Sequence, residues 1–77
     1  MKWILLESSV LRAARYMEEQ ELLDLEFRTG AIYRYFEVPL HQYRALLSAD
    51  SHGLYFNHYI VGRFQEEKLR PPTRTRS

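Results

Sequence analysis

Few residues in this chain could do chemistry. His41, His52 and His58 are the only soft metal ligands available, since cysteine is absent. His52 and His58 lie six residues apart, which on a helix sends them to different faces, and His41 belongs to a separate segment. A zinc site needs three or four converging ligands, so the histidines are expected at the surface and no metal is assigned. Ser8, Ser9 and Ser51 are candidate nucleophiles, with His52 beside Ser51 as a base. Adjacent side chains seldom face one another, and no glycine elbow surrounds any of these serines. Backbone capping explains Ser51 and the Ser8-Ser9 pair. The three glycines are scattered, with no Walker or dinucleotide pattern. No catalytic residue, cofactor or small-molecule substrate is expected, and the chain is not expected to be an enzyme.

Binding chemistry is better represented. Tyr33 and Tyr35 flank Arg34, and an exposed pair of rings with a guanidinium between them could stack single-stranded bases. The competing reading packs both rings into the core, and it is preferred, because strand aromatics opposite leucine face inward. Arg63, Lys68, Arg70, Arg74 and Arg76 add cations toward the end of the chain. Asn57 falls inside a helical segment, where it either bonds to nearby backbone or contacts a ligand.

The elements that must position these residues follow from spacing. Leu23, Leu25 and Phe27 alternate with Asp24, Glu26 and Arg28, the period of a strand with one apolar face. Thr29-Gly30 is a turn, and Ile32 to Phe36 is rich in strand formers. A turn with Gly30 as a left-handed bulge residue sets Leu25 opposite Tyr33, Leu23 opposite Tyr35 and Asp24 opposite Arg34. Upstream, Leu11 to Met17 has a weaker pattern and ends in the polar turn Glu18-Glu19-Gln20. Leu22, Ile32 and Phe36 then surround the Asp24–Arg34 pair on the outer sheet face. Either the apolar stretch Trp3–Leu6 covers them or they form a partner patch. Pro39 suits a helix start, and Leu40, Tyr43, Leu46 and Leu47 keep helical spacing over 39–49. Ser51 can cap a second helix that carries Phe56, Tyr59 and Ile60 and stops at Gly62. The expected fold is α+β: a three-stranded antiparallel meander, then two short helices packed on one face. One domain is expected over 1–66 and a disordered basic tail over 67–77.

The bulk numbers agree with one small domain. The chain has 77 residues with 45% hydrophobic and 14% aromatic content. A chain of this size buries only about 60% of its unfolded surface. Without cysteine there is neither a disulfide framework nor a thiolate zinc site, which favours a cytoplasmic location. The apolar run at 3–6 is too short for a signal sequence or a membrane span. The net charge of +1 is unevenly spread. Residues 1–67 hold seven Lys/Arg against ten Asp/Glu, whereas Lys68, Arg70, Arg74 and Arg76 are followed by no acid. A mildly acidic body argues against a broad phosphate-binding surface on the folded part.

Several stretches together resemble the KTSC domain family: Leu23-x-Leu25-x-Phe27, Gly30, Tyr33-Arg34-Tyr35 and Val38-Pro39, followed by Ser51-His52-Gly53-Leu54-Tyr55-Phe56-Asn57 with Ile60 and Gly62. Ser8-Ser9 and Tyr16 fit the same pattern, so the likeness spans roughly residues 3–64. The family is named after the C-terminal region of certain lysyl-tRNA synthetases and also occurs as stand-alone small bacterial proteins. The resemblance implies an RNA association and assigns no catalytic or metal residues. Where relatives often carry Lys or Arg, this chain has His52, Leu54, His58 and Val61. Two functions are therefore carried forward. One is a weak RNA-binding module using Tyr33, Arg34, Tyr35, Arg63 and the tail cations. The other is a module that binds a protein partner or itself through Leu22, Ile32 and Phe36. No membrane partner is expected.

Overall fold

The Thr29-Gly30 turn sets the register of the central hairpin. In the computed structural model, which describes residues 2–73, Gly30 adopts φ +93°, a conformation open to glycine at little steric cost. The Gly30 N–H donates to the Phe27 carbonyl at 2.9 Å and the Phe27 N–H to the Ala31 carbonyl at 2.8 Å. The strands on either side, here numbered β3 (Leu22–Phe27) and β4 (Ile32–Tyr35), pair with Leu25 opposite Tyr33, Leu23 opposite Tyr35 and Asp24 opposite Arg34. That is the register expected from the bulged turn.

Strand β2 (Leu11–Met17) lies antiparallel on the other side of β3, with Ala14 opposite Leu25, Arg15 opposite Asp24 and Tyr16 opposite Leu23. The register shifts between Leu11 and Ala13. The extra residue, Arg12, lets Leu11 and Ala14 share the inner face. This bulge is why the β2 sequence shows so little alternation.

The sheet has five strands rather than the expected three, in the order β1-β2-β3-β4-β5 with antiparallel neighbours. Strand β1 (Ile4–Leu5) pairs along β2, and β5 (Glu66–Arg70) pairs along β4. The second addition corrects the reading of 67–77 as a disordered tail, because residues 67–70 belong to the sheet. Every residue of β5 is exposed. An edge strand of this kind is held by main-chain bonds and cross-strand pairs, with Glu67 opposite Arg34 and Lys68 opposite Tyr33. It buries no apolar stripe, so its sequence lacks the periodicity that marks a strand. Arg74 and Arg76 lie outside the described residues.

Both helices pack on the inner face. Pro39 precedes α1 (Leu40–Ser48) with extended backbone, and Ser51 Oγ accepts from the Leu54 N–H at 3.1 Å to cap α2 (His52–Tyr59). Gly62 has φ +78° beyond the end of α2. Tyr43, Leu46, Phe56 and Ile60 close over Leu11, Ala14, Tyr16, Leu23, Leu25 and Tyr35. The Tyr16 and Tyr43 rings stack with centroids 4.6 Å apart, and Tyr16 Oη donates to the Val38 carbonyl at 2.6 Å. Burial, with Glu21 and Glu18 nearby, pushes the Tyr16 hydroxyl pKa up. Among the described residues no helix is long and apolar enough to cross a membrane.

Candidate nucleic-acid and partner surfaces

The outer face of the sheet is built around one carboxylate. Asp24 has no solvent exposure, although neither helix lies above it. Strands β2 and β4 flank β3 and bring Arg15 and Arg34 to it from both sides. Arg34 Nε donates to Oδ1 at 2.8 Å and its Nη2 to Oδ2 at 3.0 Å. Arg15 Nη2 donates to Oδ2 at 2.6 Å and its Nε at 3.2 Å. Burial alone would raise the Asp24 pKa, but hydrogen bonds and charge from Arg34 and Arg15 outweigh it and hold the carboxyl below its usual value. Trp3 completes the cluster, with the Arg15 guanidinium 4.4 Å from its ring centroid. Glu67, opposite Arg34 on β5, adds a second acid at the other end of the cluster.

This arrangement separates residues that the sequence reading grouped together. Arg34 is on the outer face, tied to Asp24, while Tyr33 and Tyr35 are on the helix-covered face. Tyr35 is only 1% exposed, and burial together with Glu66 pushes its hydroxyl pKa far up. Tyr33 is half-buried, with Phe27 edge-on at 5.8 Å and Tyr35 at 6.5 Å. The tyrosines are therefore core and core rim, as the preferred reading held, and Tyr35 offers no ring to a base. Of the remaining cations, Arg63 is exposed and its Nε donates to the His58 carbonyl at 3.1 Å. Lys68 is exposed beside Tyr33. Arg70 is exposed but anchored, donating to the Gly30 carbonyl at 2.8 Å and to Glu26 Oε2 at 3.0 Å.

The candidate partner patch is also divided. Leu22 and Phe36 line one cavity of about 540 Å³ with Arg63, Phe64, Gln20, Glu37 and Gln65. Ile32 is at the other end of β4, opposite Glu26 and Arg70. The Trp3–Leu6 segment does not cover this face as a unit. Only Trp3 reaches the cluster; Leu6 turns into the core, and Ile4 and Leu5 stay 44% and 78% exposed.

Ser8-Ser9 meet Ser51 to Leu54 and Asn57, distant in sequence, at a groove of about 370 Å³ that also includes Glu7, Val10 and Asp50. Ser8, Ser51 and His52 use their polar groups to support the backbone. Ser8 Oγ accepts from the N–H groups of Val10 and Leu11 at 3.0 and 3.2 Å. His52 Nδ1 lies 2.9 Å from the Leu46 carbonyl oxygen and ties α2 to the end of α1. Gly53 lets the two segments approach: a Cβ there would lie 3.3 Å from Val10 Cγ2. The close approach is to the loop between β1 and β2. Among the described residues no three His, Cys, Asp or Glu side chains are placed to hold a metal ion. Arg15 is the residue that sequence reasoning missed. Its signal was one of position, since the charge pair Asp24–Arg34 in a small sheet invites a third member on the neighbouring strand.

A five-stranded antiparallel sheet with two helices on one face and a buried ion cluster on the other defines a small α+β domain. A KTSC domain protein from Yersinia pestis shares this fold, with a TM-score of 0.86 and 28% identity over 88% of this chain and 96% of that one. The KTSC domain family model matches residues 7–64, and the chain belongs to that family. An uncharacterized protein of Stutzerimonas stutzeri is 51% identical over 57 residues, covering 74% of this chain and 80% of its own length. A lysine–tRNA ligase of Nostoc sp. strain PCC 7120 is 44% identical over 63 residues, which is 82% of this chain but 11% of the ligase. A ligase of the same name from Trichormus variabilis is 40% identical over the same shares.

Proposed function

We propose that this domain is a non-catalytic accessory module that binds RNA weakly and with little sequence preference. The observation that carries the reading is the relationship to lysine–tRNA ligases, where a similar stretch forms 11% of a chain whose name gives tRNA as its substrate. The charge distribution supports the same reading and gives it a location. Arg15, Arg34 and Arg70 are engaged with acids of the sheet. Lys68 and Arg63 are exposed with no acidic partner among the described residues, and Arg74 and Arg76 follow β5 in sequence without any intervening acid. Phosphate contacts by these side chains need no base readout. A role beside tRNA is consistent with the cytoplasm.

The test is titration of mixed single-stranded RNA at low salt into the intact chain, a chain ending at Thr73 and the variant Lys68→Glu. A cut after Glu67 would remove most of β5 and confound folding with binding. Both changes weaken binding if the reading holds. Unchanged affinity in both, or no binding by the intact chain, sinks it. A second reading, a protein-interaction module, is favoured by one observation: neither helix covers the outer sheet face, which keeps Leu5 and the half-buried Leu22, Ile32 and Phe36 near solvent.

A further inference from the structure

The two edges of the sheet meet solvent differently. The β5 edge carries Glu66, Glu67, Lys68 and Arg70, the charged composition by which edge strands resist pairing with another chain. The β1 edge carries no charge between Trp3 and Leu6 and exposes Ile4 and Leu5 at 44% and 78%. Its backbone is also poised to pair. The Leu6 N–H donates to the Arg12 carbonyl at 2.9 Å, so Leu6 and, by alternation, Ile4 turn their polar groups toward β2. Those of Trp3, Leu5 and Glu7 therefore point to the open edge.

We propose that this edge pairs with β1 of a second copy of the chain, antiparallel about a two-fold axis through Leu5. Two identical antiparallel neighbours in one sheet are related by an axis normal to it, so the central residue faces its own counterpart. An axis at Ile4 or Leu6, between the outward residues, lets only two of Trp3, Leu5 and Glu7 exchange bonds with each other across it, whereas an axis at Leu5 engages all three. A Glu7 centre opposes two carboxylates, and a Trp3 centre brings two Trp3–Arg15 stacks, both cationic, together. A Leu5 centre sets apolar against apolar and places Trp3 across from Glu7 of the partner subunit on the outer face. There the Arg15 guanidinium, stacked on Trp3 at the end of the cluster away from Glu67, meets a carboxylate. The self-pairing is independent of RNA binding and uses the sheet edge rather than Leu22, Ile32 and Phe36.

Sedimentation equilibrium of the full chain over a range of concentrations tests this. The wild type should approach twice the 9.3 kDa chain mass. Leu5→Lys and Leu5→Glu should each weaken association at least ~10-fold, because like charges would sit directly opposite. An equimolar mixture of the two variants should restore the dimer. Leu69→Lys on the β5 edge should leave the mass unchanged. Circular dichroism spectra of the variants that match the wild type, expected from the exposure of Leu5, exclude misfolding. A wild type that stays monomeric throughout overturns the proposal, as does a dimer indifferent to Leu5→Lys or a mixture that stays monomeric.

Discussion

On the helix-covered face of the sheet Leu23, Leu25 and Tyr35 are removed from water by α1 and α2, whereas on the opposite face Asp24 is equally buried with neither helix above it. The first burial is apolar and depends on elements far along the chain. The second is ionic and local, made by Arg15, Arg34 and Trp3 reaching across neighbouring strands. A half-covered sheet of this size thus closes one face with a core and the other with a network of interlocked charges. A lone buried carboxylate would be costly; two guanidiniums supply the opposing charge and hydrogen bonds that make it tolerable.

The comparison can be broken by removing one member from each face. Tyr35→Ala should cost the most, about 3–5 kcal/mol of stability, by opening a cavity beside Phe56; urea denaturation measures it. Asp24→Asn should cost about 2 kcal/mol. That is less than for a fully enclosed pair, because Arg15 and Arg34 are 26% and 27% exposed and can turn to water. If Asp24→Asn proves neutral, the outer face is not held by its charges and the comparison fails.

Acid titration sharpens the same point. The Asp24 carboxyl ionises at a lower pH in the folded chain than in the unfolded one, so on acidification the unfolded chain takes up the proton first. Its contribution is present above the ordinary aspartate range and is lost as pH falls from about 4 through the folded value. The gap between wild type and Asp24→Asn should therefore close below about pH 4; a constant gap contradicts the assignment. The smallest effect concerns neither face. Ser51→Ala removes only the bond to the Leu54 N–H at the start of α2 and should cost about 1 kcal/mol.

What could be read from the sequence follows the same division. The β3–β4 register was legible because Gly30 forces one turn and because Leu23 and Leu25 must meet tyrosines on a single face. Both helices were legible from Pro39, Ser51 and the spacing of Leu40, Tyr43, Leu46 and Phe56. Strand β5 was not, since Glu66–Arg70 gains its structure from backbone bonds to β4 and buries nothing that would leave a pattern. Arg15 was missed because the bulge at Arg12 erased the alternation of β2. The Tyr33-Arg34-Tyr35 triplet misled in one respect: neighbours along a strand point to opposite faces, so the guanidinium cannot work beside both rings.

With Arg15, Arg34 and Arg70 engaged by Asp24 and Glu26, the RNA binding we propose rests on the remaining cations around β5, and salt dependence tests that most directly. Four contacts with single-stranded RNA, from Arg63 just before β5 and from Lys68, Arg74 and Arg76, predict a slope of about −3 for log affinity against log salt concentration. The chain ending at Thr73 should show about half that slope. A slope near zero in the intact chain, or one unchanged by the truncation, would contradict the account.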